Sequence, residues 1–71
     1  MRCRTKEFGD SRFMMWIWMD SREEGHAFKR WMMENYPECM CEYRFNHGVN
    51  PHWEVRGGDI TIPTVIRLTW Q

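Results

Sequence analysis

Apolar and polar positions divide the chain into stretches of different period. Phe13 to Met19 reads FMMWIWM, an unbroken apolar run between Arg12 and Asp20. That is the length of one strand and too short to span a membrane. Alternation sends Phe13, Met15, Ile17 and Met19 to one face and Met14, Trp16 and Trp18 to the other. Both sets are large and apolar, which is the pattern of a strand covered on two sides. A chain of 71 residues has material for about one covering layer.

After Asp20 the period becomes helical. Ser21 and Glu24 have capping-box spacing, and Glu23 and Glu24 suit the positive end of a helix dipole. Phe28, Trp31, Met32 and Tyr36 gather on one side of the wheel, with Ala27 at its edge. Arg22, Glu23, His26, Lys29, Arg30 and Glu34 fall opposite. Gly25 is an awkward guest, costing about 0.8–1 kcal/mol relative to alanine. Pro37 ends the helix, because the residue before a proline is pushed out of the α region. The spacing predicts a helix over Ser21–Tyr36.

From Cys39 to Asn46 the period is two. Cys39, Cys41, Tyr43 and Phe45 share the inner face, and Met40, Glu42, Arg44 and Asn46 the outer. His47 to Pro51 reads as a turn. His52 to Arg56 is a short strand with Trp53 and Val55 inward, followed by a hairpin turn at Gly57-Gly58-Asp59. Ile60, Ile62, Thr64, Ile66, Leu68 and Trp70 share one parity, so Ile60–Trp70 reads as a last strand, bulged at Pro63. Cys3 to Phe8 alternates weakly, and Gly9-Asp10 can turn it back along the apolar run. Residues 1–11 are therefore an extra edge strand or a basic arm.

These elements predict a single α+β domain over residues 1–71. It is a two-layer β-α-β-β-β arrangement with one helix on one face of a mixed sheet. The sheet has four strands, or five if the amino-terminal segment pairs. The strand–helix–strand unit makes its flanking strands parallel through a right-handed crossover.

Composition sharpens the question of the second sheet face. Five Trp, four Phe, seven Met and two Tyr are a heavy apolar supply for so short a chain. A domain of this size buries only about 60% of its potential surface, so part of that supply is expected at an interface. Ten Lys and Arg balance ten Asp and Glu. Neutrality argues against a nonspecific grip on phosphates and against an acidic mimic of nucleic acid. The amino-terminal dozen is nevertheless basic, with Arg2, Arg4, Lys6 and Arg12 against Glu7 and Asp10. Three cysteines and no signal-peptide pattern fit a reducing cytoplasm, including the host cytoplasm for a virus-encoded protein.

Candidate chemistry is sparse. Cys39 and Cys41, with His47 and His52 following and Cys3 and His26 elsewhere, are the residues nearest to a zinc set. One intervening residue on a strand is not knuckle spacing, however, and buried free thiols are the simpler reading. Cys41 with His52 resembles a nucleophile pair, yet nothing in the spacing singles the two out. Gly57-Gly58-Asp59 has no following lysine or helix to make a phosphate loop. The expectation is a binding module, not an enzyme, with no metal or cofactor and no membrane span. Met14, Trp16, Trp18, Met40 and Val65 would form an apolar patch rimmed by Glu42, Arg44, Glu54, Arg56 and Arg67. Tryptophan, methionine and arginine are the residue types of interface cores. The expected partner is protein: a second copy stacked sheet to sheet, or a larger intracellular target of an inhibitor or adaptor. The alternative is single-stranded nucleic acid, stacked on the open-face aromatics with Arg44, Arg56 and Arg67 nearby.

Overall fold

The computed structural model describes residues 1–46 and 49–71. In chain order the elements are β1 (Arg2–Glu7), β2 (Phe13–Trp18), α1 (Arg22–Asn35), β3 (Met40–Asn46), β4 (Val49–Gly57) and α2 (Ile62–Trp70). The strands form one four-stranded sheet in the order β1-β2-β4-β3. Every neighbouring pair is antiparallel. The crossover expectation therefore holds in one respect only. β2 and β3 run in the same direction, but β4 has inserted between them. The amino-terminal segment is a true edge strand: Arg2 lies opposite Trp18 and Glu7 opposite Phe13.

The apolar run behaves as one strand of the core. Phe13, Met15 and Ile17 are fully buried on the helical side, together with Phe28, Met32, Cys41, Val55, Ile62 and Ile66. α1 starts where the capping pattern put it. Ser21 Oγ accepts from the Glu24 amide at 3.1 Å, while the Glu24 carboxylate accepts from the Asp20 amide, one residue earlier than the ideal box. Phe28 and Met32 are buried, and Trp31 and Tyr36 lie half-buried beside them. Lys29, expected on the solvent face, reaches over the sheet edge and donates to the Cys41 carbonyl.

Gly25 has a packing reason. A Cβ there would lie 2.7 Å from Trp53 Nε1, so the missing side chain is what lets the indole lie against the helix. Gly57 is similar. Its missing Cβ leaves room for the Phe13 ring and Cys39 Sγ, each 2.8 Å from the position it would occupy.

The final segment departs from expectation: Ile62–Trp70 is a helix, not a strand. Ile62, Ile66 and Trp70 are spaced i, i+4, i+8 and turn one face to the core, where Ile62 and Ile66 are buried. The Trp70 ring meets Phe28 at 5.4 Å and Trp31 at 6.0 Å. Pro63, which argued for a bulge, sits in the first helical turn, where its missing N–H costs nothing. Gly57-Gly58-Asp59 is accordingly a strand-to-helix junction and not a hairpin. The Asp59 carboxylate accepts from both the amide and hydroxyl of Thr61, which hold it below the usual carboxylate range. β2 has β1 on one side and β4 on the other, so no place beside it remains for another strand.

β3 is the second edge, and its inner face is only partly covered. Cys41 is buried as expected, but Tyr43 and Phe45 are 54% and 70% exposed. Tyr43 pairs with Trp53, which contacts the first turn of α1 through Gly25. Phe45 lies two residues farther along β3. The expected turn at His47–Pro51 falls partly outside the described residues, and Val49 to Pro51 belong to β4. No helix among the described residues is long and apolar enough to cross a membrane.

Candidate functional site: the helix-free face of the sheet

Both helices pack on the face that carries Phe13, Met15 and Ile17, and neither covers the other face. Cross-strand register fixes what stands on it. Lys6, Met14, Arg56 and Met40 form one row. Arg4, Trp16, Glu54 and Glu42 form the next. Arg2, Trp18, His52 and Arg44 form the third, with the Trp18 and His52 rings 5.6 Å apart. Of the eight residues expected to line a binding face, six are brought together here: Met14, Trp16, Trp18, Met40, Arg44 and Arg56. Val65 and Arg67 are not. They sit on α2, across the sheet, where Arg67 donates to the Thr5 hydroxyl of β1. Treating that segment as a strand put them on the wrong side of the molecule.

The charges on this face are sorted. Glu54 is 7% exposed, and its Oε2 receives Arg44 Nη2 at 3.2 Å and Arg56 Nη2 at 3.0 Å. Arg44 also reaches Glu42 at 3.1 Å. Burying a carboxylate with so little access to water is costly unless it is paired and hydrogen-bonded. The guanidiniums of β3 and β4 are therefore committed to carboxylates within the sheet. On β1 the pattern differs. Arg2, Arg4 and Lys6 follow one another along the strand on the same face, and among the described residues no carboxylate pairs with them. The face thus holds five cations against two carboxylates, and the chain's zero net charge conceals this polarity.

The aromatic residues lie between the two charge groups. Trp16 and Trp18 are half-buried on the strand between β1 and β4. The Arg2 guanidinium sits 5.0 Å from the Trp18 ring centroid, within cation–π range. His52 packs on Trp18 and bonds through Nδ1 to the Asn50 carbonyl at 2.9 Å. The Trp18 indole N–H is buried without a partner among the described residues. A shallow concavity of about 650 Å³ follows Arg4, Lys6, Trp16, Trp18 and His52.

Sequence reasoning missed Arg2, Arg4 and Lys6 as site residues. The signal was their spacing of two, which puts all three on one face of a strand. It was outweighed by the view of residues 1–11 as a loose arm.

The thiols lie elsewhere. Cys41 is buried in the core and Cys39 is half-buried beside Gly57. Burial, with the nearby charges of Glu38, Cys41 and Asp59, pushes the Cys39 thiol up to about 11. Burial raises Cys41 as well, against the opposing effect of Lys29. Neither is primed as a nucleophile, which needs a stabilised thiolate. Among the described residues no three His, Cys, Asp or Glu side chains gather as metal ligands would. No known protein family, curated protein or solved structure matches this chain.

Proposed function

We propose that the helix-free face binds single-stranded nucleic acid, with bases stacking on Trp16 and Trp18 and phosphates tracking along Arg2, Arg4 and Lys6. The observation that carries this reading is that Arg2, Arg4 and Lys6 of β1, without a carboxylate partner among the described residues, stand beside Trp16 and Trp18 on a face whose other cations are matched to carboxylates. Residues two apart on a strand are separated by about 6.6–6.8 Å, a step comparable with that of an extended polynucleotide. Stacking on indole is tolerant of sequence, because every base has a π-face. The same charge excess argues against stacking this face on its own copy, since each platform would meet another of the same sign.

A second reading, an acidic protein surface, is favoured by Met14 and Met40, which flank Arg56 in the outer row and supply adaptable apolar contact.

The test is titration of fluorescently labelled oligonucleotides, DNA and RNA, single- and double-stranded, followed by anisotropy and by tryptophan quenching. Wild type is expected to prefer single strands. If three phosphates are neutralised, log affinity should fall against log salt with a slope of about −2. Trp16→Ala should weaken binding by about 1–3 kcal/mol with the circular dichroism spectrum kept. Alanine at Arg2, Arg4 and Lys6 together should flatten the salt slope. No binding at low salt, or binding indifferent to both sets of changes, refutes the reading and leaves the protein-partner alternative.

A further inference from the structure

We propose that this chain forms a symmetric homodimer by antiparallel pairing of β3 with β3 of a second copy, centred on Tyr43. β3 is a free edge of the sheet, and Tyr43 and Phe45, two of the large apolar side chains left exposed, lie on it at 54% and 70% exposure. Free edges are templates for another strand unless charge, proline or a cover blocks them. The other edge is blocked in this way. Pairing β1 with its own copy about Thr5 sets Arg4 against Lys6, and pairing about Arg4 sets Arg2 against Lys6.

β3 is self-complementary instead. About Tyr43, Glu42 of each copy lies opposite Arg44 of the other, which extends the in-chain Arg44–Glu42 and Arg44–Glu54 pairs across the axis, and Cys41 lies opposite Phe45. Opposite charges directly across a strand pair stabilise it, and like charges destabilise it. Centring on Glu42 or Arg44 would put like charges on the axis, whereas the Tyr43 register sets opposite charges against each other. The edge groups are also in phase. The Cys41 carbonyl already accepts from Lys29 Nζ, and in the proposed pairing Cys41, Tyr43 and Phe45, alternate along the strand, turn their N–H and C=O to the partner. The carbonyl's second lone pair remains for the partner's amide. The two-fold axis stands perpendicular to the sheet, so both helix-free faces end on the same side of a continuous eight-stranded sheet. This inference is independent of what that face binds, and its test contains no oligonucleotide.

The test is sedimentation velocity from low micromolar to millimolar protein, with circular dichroism on every variant. Wild type is expected to dimerise. Glu42→Arg and Arg44→Glu should each weaken the dimer at least about tenfold, because each sets like charges across the axis twice. An equimolar mixture of the two should dimerise again. The arginine introduced in one chain then faces the glutamate introduced in the other, and the unchanged Arg44 of the first faces the unchanged Glu42 of the second. Arg44→Glu also puts a carboxylate near Glu54. If it fails to fold, the decision passes to Glu42→Arg and to Phe45→Asp, a change at an exposed side chain, and both should be monomeric. A wild type that stays monomeric at millimolar concentration overturns the proposal. So does a dimer that survives Glu42→Arg or Phe45→Asp, or a mixture of folded variants that does not restore pairing.

Discussion

Gly25→Ala sets helix propensity against packing. In an exposed helix interior, alanine is better than glycine by about 0.8–1 kcal/mol, and position 25 is three residues inside α1. Here the new Cβ would lie 2.7 Å from Trp53 Nε1 and 3.4 Å from Cε2. Those atoms belong to a rigid indole, not to the end of a flexible chain, so the whole ring must move. Its movement is opposed by Phe28 at 6.5 Å and Tyr43 at 5.2 Å between ring centroids. Overpacking of this sort costs typically about 1–3 kcal/mol, so the expected net effect is destabilisation by about 1 kcal/mol. Urea denaturation followed by far-ultraviolet circular dichroism measures it, with midpoints compared at a common slope. The mechanism predicts a coupling as well. In a Trp53→Phe background the smaller ring leaves room, and Gly25→Ala should become neutral or stabilising. A Gly25→Ala protein that is more stable than wild type by the full propensity difference would refute the packing argument.

Two further outcomes test other parts of the fold. Ser11, in the β1–β2 connection, has φ of 72°, in the region that disfavours residues with a Cβ; Ser11→Gly should stabilise by about 0.5–1 kcal/mol after the greater chain entropy of glycine is subtracted, again by urea midpoint. The Cys39 thiol is raised from 9.0 to about 11 in the folded chain, so the native state holds its proton where the unfolded state loses it; this stabilisation is complete below pH 9 and should decline as pH rises towards 11. Urea midpoints compared across that interval should fall less for Cys39→Ala/Cys41→Ala than for wild type, and an equal fall in both would refute the assignment.

Local signals were legible wherever one short-range pattern had a single reading. Ser21, Glu24 and Pro37 bounded α1 because caps and breakers act within a few residues. The alternation of FMMWIWM set both faces of β2, and so placed Trp16 and Trp18 opposite Phe13, Met15 and Ile17. Residues 60–70 were ambiguous, since Ile62, Ile66 and Trp70 fit a period of two and a spacing of four equally well. The shared parity from Ile60 to Trp70 gave the strand reading, although Pro63 also suits a helical first turn.

What the sequence determined by itself was therefore the existence of α1, the split faces of β2 and the alternation of β3 and β4. Which segment lies beside β2 opposite β4 was decided by tertiary structure. β1 occupies that edge, and the last segment is a helix whose Trp70 ring packs against Phe28 and Trp31. Tertiary structure alone also converted a neutral composition into a polarised face. Glu54 draws Arg44 and Arg56 together across two strands, while Arg2, Arg4 and Lys6 are left beside Trp16 and Trp18. The composition of the face depends on the cross-strand register of β1, β2, β4 and β3, which sets Met14 opposite Arg56 and Trp16 opposite Glu54 from distant parts of the chain, and no local pattern encodes that register.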